Sequence, residues 1–121
     1  MKKVYTIKNI EQADLAKLHA QIHIDKNHEV FHGHFPEKSV LPGVIELEII
    51  KTIVSEFFEK KYRLTKIKNA KYLGMILPDE ITDFDIDIDY AEDSEGLKVK
   101  AIIYEESQKY LKFSGIFSTD E

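Results

Sequence analysis

The alternation of hydrophobic and polar positions divides the chain into strand candidates and one long helix. Leu18 to Ile24 alternates at period two, which predicts a half-buried strand with His19 and His23 on its polar side. Val4 to Ile10 also alternates and is a second strand candidate, whereas residues 10–18 are too polar to assign. The early chain is therefore expected to supply strands before any helix.

Residues Pro42 to Lys60 are predicted to form the long helix. Pro42 suits the first turn because its missing N–H has no partner to lose there. Apolar residues recur at helical spacing along one side, namely Leu47, Ile50, Ile53, Val54, Phe57 and Phe58. At about 100° per residue, Glu46 falls on this apolar stripe and Glu48 falls on the polar side with Thr52.

Strand candidates and turns fill the rest of the chain. The candidates are Arg63 to Ile76, Ile81 to Tyr90, Gly96 to Tyr104 and Lys109 to Phe117. One early helix followed by an antiparallel meander predicts an α+β fold, with the sheet packed on the helix. Residues 1–121 are expected to form one domain.

Composition narrows the class of protein. The chain has 121 residues, a formal net charge of −5 and no cysteine, which argues against general nucleic-acid binding and excludes disulfides and thiolate chemistry. No apolar run is long enough for a signal peptide or a membrane helix, so a cytoplasmic protein is expected.

Four aspartates alternate along one strand candidate: Asp83, Asp85, Asp87 and Asp89. A calcium loop counted from Asp85 would need glycine at its sixth position and a carboxylate at its twelfth, but Tyr90 and Gly96 stand there. The ladder is therefore expected to be a solvated strand face that protects a sheet edge.

Two further clusters have competing interpretations. His28, His32 and His34 are close in sequence, but loop histidines without a helical HxxxH pair are weak metal ligands, so no metal site is expected. A run of basic residues stands out in this acidic chain: Lys60, Lys61, Arg63, Lys66, Lys68 and Lys71. These cations either stabilise the end of the helix and form the solvent-exposed face of a strand, or they bind an acidic partner.

The most informative stretch is residues 31–48. His34 precedes a short loop, and a carboxylate follows one turn into the helix, which indicates an acid/base pair. Gly33 and Gly43 allow close approach of the backbone. Gly43, at the helix start, offers unpaired N–H groups to a carbonyl oxygen or an oxyanion.

This spacing resembles a known family. Gly33-His34-Phe35-Pro36, then Pro42-Gly43-Val44-Ile45, then Glu48 is similar to the signature of the hot-dog 3-hydroxyacyl-acyl-carrier-protein dehydratases of the FabZ/FabA type. Ala70-Lys71-Tyr72-Leu73 and Leu77-Pro78-Asp79-Glu80 extend the likeness, which runs from about Glu29 to Glu80. The family often has proline in place of Ser39 and glutamine in place of Thr52.

The resemblance implies a hot-dog fold and a homodimer, or a dimer of dimers, in which His34 faces Glu48 of the partner subunit. It implies dehydration of (3R)-hydroxyacyl thioesters on an acyl carrier protein, in fatty-acid or related polyene biosynthesis, with no cofactor. His34 would be the base, Glu48 the acid and Gly43 the N–H donor. Residues expected to line the substrate site are Phe31, Gly33, Phe35, Val44, Ile45 and Thr52.

Three alternatives stay open. Glu46 is the alternative acid, because a lone carboxylate on an apolar stripe is the more unusual of the two. The same fold also supports thioester hydrolysis, with a helix carboxylate that activates water. A non-catalytic protein that binds acyl groups or carrier protein is the third reading, and Ser39 and Thr52 permit it.

Overall fold

A computed structural model of the chain describes residues 3–31 and 39–120. Within these residues, six antiparallel strands form one sheet in the order β1-β2-β4-β5-β6-β3. The helices are a 3-10 turn at Glu29–Phe31 and α1 at Gly43–Phe58. The strands are β1 Tyr5–Asp14, β2 Lys17–Ile24, β3 Arg63–Tyr72, β4 Asp83–Asp93, β5 Gly96–Glu105 and β6 Gln108–Ser118.

The core lies between α1 and one face of the sheet. Ile49, Ile50, Ile53 and Val54 on the helix are fully buried, as are the inward residues of β2 and β4. Helical period on α1 and period two on the strands therefore bury one face of each element, as the sequence pattern predicts. The apolar area removed from water on these faces is the main term that stabilises the fold.

The predicted elements are confirmed with shifted ends. Helix α1 begins one residue later than predicted and ends two residues earlier, where Glu59 adopts a left-handed φ of 54° and the Lys60 N–H donates to the Ser55 carbonyl at 3.1 Å. The unassigned residues 10–18 continue β1 to Asp14 and turn back into β2. The antiparallel pairing of the polar end of β1 with β2 makes it a strand.

The predicted meander is only partly right. Strands β4, β5 and β6 follow one another in the sheet, but β3 pairs with β6 at the far edge. The chain therefore crosses from one edge of the sheet, through β3, back to its middle at β4. Local hydrophobic pattern identifies each strand but carries no information about this long-range order.

The aspartate ladder lies on the outer face of β4, and its expected role in edge protection is wrong because β4 is internal. Cations of β1 and β2 pair with it instead. His19 contacts Asp87 at 2.7 Å and Asp85 at 3.2 Å, and these carboxylates raise the pKa of His19. Further pairs are Lys17 with Asp89, and His23 and Lys8 with Asp83.

No helix in the described parts of the chain is long and apolar enough to cross a membrane.

Candidate active site

Three of the predicted site residues, Gly33, His34 and Phe35, lie outside the described residues. The residues on either side of segment 32–38 are placed. Phe31 is buried in the core, and the Ser39 hydroxyl donates to the Phe31 carbonyl at 3.2 Å. The Leu41 N–H donates to the Ile76 carbonyl at 2.9 Å. The first bond joins the residues that flank the segment, and the second ties the start of α1 to the chain after β3.

The start of α1 carries no side-chain cap from any described residue. Pro42 is extended at φ −61° and ψ 139°, and none of the described side chains bonds to the first N–H groups. The first N–H groups of a helix have no partner within it, so they are available to an acceptor. The helix start therefore has the donors that a thioester carbonyl or an enolate oxygen would need.

Tyr72, the last residue of β3, packs directly on this helix start. Its hydroxyl donates to the Gly43 carbonyl at 2.9 Å. A Cβ placed on Gly43 would lie 2.7 Å from the Tyr72 hydroxyl oxygen, so only glycine permits this approach without a shift of the ring. The contact ties the end of an edge strand to the candidate oxyanion site.

The two helix carboxylates occupy opposite environments, as their spacing predicts. Glu46 is 2% exposed, and its Oε1 has no hydrogen-bond partner among the described residues. Burial raises the pKa of Glu46 from 4.5 to about 8, so the group is largely protonated at neutral pH. Glu48 lies on the exposed side of the helix.

Thr52 lies one turn beyond Glu48 on the same exposed side. Its hydroxyl donates to the Glu48 backbone carbonyl at 2.9 Å and lies 2.8 Å from the Tyr5 hydroxyl. The structure therefore brings Glu48, Thr52 and Tyr5 into one polar group. No role for Tyr5 follows from the sequence alone, because it appears there as one residue of a weak strand candidate.

An exposed apolar surface surrounds the helix start. Val44 is 72% exposed, and Tyr72 at the end of β3 and Leu73 and Met75 after it are each at least 41% exposed. Ile45 is partly buried against the core. The predicted substrate residues Val44 and Ile45 thus stand at the edge of the described surface, where an apolar group or a second subunit would cover them.

Among the described residues, no three His, Asp or Glu side chains are arranged to hold a metal ion.

Comparisons with known proteins agree with this architecture. A solved dehydratase heterocomplex, ApeI:P from Xenorhabdus doucetiae, superposes with a TM-score of 0.75 at 19% identity, over 98% of this chain and 99% of that one. An uncharacterised protein from Erwinia carotovora superposes with a TM-score of 0.68 at 19% identity, covering 99% and 98% of the two chains. These likenesses confirm the predicted hot-dog fold.

The model of the ApeI-like family, described as ApeI dehydratase, matches residues 9–114. The chain therefore belongs to the ApeI-like dehydratase family, and the predicted likeness to FabZ/FabA-type dehydratases is confirmed.

Curated relatives carry the same class of name. The 3-hydroxyacyl-[acyl-carrier-protein] dehydratase FabZ of Clostridium acetobutylicum is 30% identical over 69 residues, which are 51% of this chain and 49% of the relative. The FabZ of Idiomarina loihiensis is 32% identical over 85 residues, covering 62% and 56%. The match thus spans about half the length of these relatives.

Proposed function

We propose that the chain dehydrates 3-hydroxyacyl thioesters bound to a carrier protein. The observation that carries the proposal is the uncapped start of α1, with Gly43 held by Tyr72 and an exposed Glu48 on the following turn. In a chain of the ApeI-like dehydratase family, this arrangement supplies the N–H donor and the acid that the reaction needs. The FabZ names of the curated relatives support the substrate class.

The proposed reaction divides the work among three residues. His34 removes the proton at C2 of the acyl chain, and the Gly43 N–H stabilises the negative charge that develops on the thioester oxygen. Glu48 donates a proton to the departing hydroxyl, which leaves as water. The product is the trans-2-enoyl thioester, and the steps need no electron acceptor.

We assign the two catalytic side chains of one site to different subunits. Among the described strands, β3 lies at one edge of the sheet, and its exposed apolar residues include Ile67 and Tyr72. A second subunit that pairs with β3 would also cover Val44 and the helix start. The neighbour from Xenorhabdus doucetiae is described as a dehydratase heterocomplex, ApeI:P, which supports assembly with another subunit.

The product of the reaction tests this proposal. Purified protein given a (3R)-hydroxyacyl thioester on a carrier protein is expected to form the trans-2-enoyl thioester, measured by mass spectrometry. The His34→Ala variant should lose at least about 100-fold in turnover because it lacks the base. Release of free thiol without enoyl product would instead identify a thioesterase. Tight binding without turnover would identify a non-catalytic partner.

An acidic carrier protein fits a basic surface on the outer face of the sheet. Strand register places Lys66 and Lys71 of β3, Lys100 of β5 and Lys112 of β6 on this face, and Lys68, at a bulge of β3, lines a groove with Lys100; we call these five lysines the basic face. Among the described residues, none of the five makes an ion pair. Lys71 lies directly opposite Lys112, and such like-charged pairs destabilise a sheet. An acidic partner would offset this repulsion.

The basic face reaches the end of β3, next in sequence to a residue of the candidate active site. Lys71 precedes Tyr72, whose hydroxyl bonds to the Gly43 carbonyl. Further along the face, Lys68 and Lys100 border a groove of about 470 Å³ whose lining includes the small residues Ser114 and Gly115. Because successive strand residues point to opposite faces, a carrier docked on the basic face would lie across β3 from the Tyr72 side chain and the helix start.

Charge reversal on the basic face tests the docking proposal. Lys71→Glu combined with Lys112→Glu is expected to raise KM for the carrier-bound substrate about tenfold. KM for the same acyl group on coenzyme A or pantetheine should change less than about twofold, because no acidic protein docks in that case. Lys8→Glu, on the opposite edge strand, is the matched control. Equal changes for both substrates would contradict the assignment.

A further inference from the structure

One row of side chains along α1 faces the beginning of β1. Glu48, Thr52 and Glu56 are spaced four residues apart, which places them one above another on the same side of the helix. Tyr5 reaches this row from β1, and its hydroxyl lies 2.8 Å from the Thr52 hydroxyl oxygen. The row and the strand border a groove of about 210 Å³ lined by Lys3, Tyr5, Thr6, Ile7, Thr52 and Glu56.

The direction of the hydrogen bonds follows from proton count. The Thr52 hydroxyl has one proton and donates it to the Glu48 backbone carbonyl at 2.9 Å. The Tyr5 hydroxyl must then be the donor to Thr52. Two hydroxyls in series polarise each other, so each bond strengthens the other.

The charges around Tyr5 keep it a neutral donor. Burial is the main cause that raises the pKa of the Tyr5 hydroxyl, and the carboxylates of Glu48 and Glu56 raise it further, whereas the bond with Thr52 lowers it. Lys3 is the cation that lines the same groove. The phenol therefore keeps its proton throughout the physiological pH range.

We propose that Tyr5 is a positioning residue for Glu48, acting through the hydroxyl of Thr52 on the helix turn that carries the acid. The inference rests on the proposed function, in which Glu48 is the acid. A hydroxyl bonded to the carbonyl four residues earlier bends a helix slightly. Tyr5 fixes the Thr52 hydroxyl in this bond, and with it the direction in which Glu48 leaves the helix.

The hydrogen bond between Tyr5 and Thr52 depends on the first strand of the chain. The family match begins at residue 9, so Tyr5 lies before it. The resemblance to the dehydratases names a position for Thr52 but none for Tyr5. The strand that supplies Tyr5 is β1, which lies at the edge of the described sheet and pairs there with β2.

Removal of the Tyr5 hydroxyl tests the proposal. Tyr5→Phe is expected to lower kcat about tenfold and to change KM less than about twofold, because a displaced acid weakens proton transfer without weakening substrate binding. Thr52→Val should lower kcat to a similar extent, and Thr52→Ser should reverse most of that loss because it keeps the hydroxyl. Tyr104→Phe, which removes a hydroxyl from the outer face of β5, is the control.

The Glu48→Gln background separates positioning from a structural role. If Tyr5 acts through Glu48, adding Tyr5→Phe to Glu48→Gln should cause no further loss of residual turnover. An additional loss equal to that in the wild-type background would overturn the inference. An inactive Glu48→Gln beside an unaffected Tyr5→Phe would refute this inference alone, and a fully active Glu48→Gln would refute the proposed function as well.

Discussion

Replacing Glu48 with glutamine is expected to lower kcat for a 3-hydroxyacyl thioester by about 100- to 1000-fold, because the amide cannot donate the proton that the departing hydroxyl requires. KM should change little, since glutamine keeps the size and polarity of the side chain. The measurement is steady-state turnover with enoyl thioester as the product.

Glu46→Gln is the matched control on the same helix. Glu46 is the alternative candidate for the general acid, because burial raises its pKa to about 8 and keeps it protonated at pH 7. It lies 2% exposed on the core side of α1, whereas Glu48 lies on the side that a partner subunit can cover. Turnover of Glu46→Gln should stay within about threefold of wild type. Loss in Glu46→Gln with retention in Glu48→Gln would reverse the assignment.

Mixed subunits test whether one site draws on two chains. His34→Ala and Glu48→Gln subunits are each expected to be inactive as homodimers. A random mixture of the two should recover about a quarter of the wild-type activity, because half of the dimers would carry one intact site. Mixtures that stay inactive after verified subunit exchange would contradict a shared site.

Glu46→Gln is also expected to change how stability depends on pH. Below pH 4.5 the Glu46 carboxyl is protonated in both the folded and the unfolded chain, so it does not penalise folding. As the pH rises from 4.5 to about 8, only the unfolded chain ionises readily, and the free energy of unfolding falls. Since one pKa unit corresponds to ~1.4 kcal/mol, the loss over this window is on the order of 4 kcal/mol.

The amide of Glu46→Gln cannot ionise, so this slope should disappear. Wild type and variant are expected to have similar stability near pH 5, and the variant should be more stable at pH 8 by about 3 kcal/mol. Urea unfolding at a fixed protein concentration from pH 5 to 8.5 measures the difference. Glu56→Gln, an exposed carboxylate of the same helix, should run parallel to wild type. A Glu46→Gln curve parallel to wild type would show that Glu46 ionises normally.

The local hydrophobic pattern was sufficient to predict the helix and to predict that Glu46 and Glu48 lie on opposite faces of it. The 3.6-residue period and Pro42 predicted α1 almost to its ends, and an angle of about 100° per residue separated Glu46 from Glu48. The same reasoning failed for residues 10–14, because Glu11, Gln12 and Asp14 are polar on both faces. Pairing with β2 determines that strand, and a pairing partner cannot be read from a polar segment alone.

The position of β3 in the sheet could not be predicted from the sequence either. Period two identified the strand, but its place beyond β6 depends on which strands meet after the chain collapses. The contact between Tyr72 and Gly43 follows from that placement, as does the contact between Tyr5 and Thr52 from the placement of β1. Side chains that meet across more than 25 positions leave no periodic signal.

The outer face of the sheet has two parts of opposite charge. The aspartates of β4 form ion pairs, whereas the five lysines of the basic face form none among the described residues. The chain as a whole carries a net charge of −5, so at low ionic strength it repels an acidic protein before the two come into contact. At physiological ionic strength this repulsion fades within about 8 Å, and closer in only the local surface is felt. An acidic protein is therefore attracted only where it approaches the basic face. The charge distribution thus selects the orientation in which such a protein binds to the sheet.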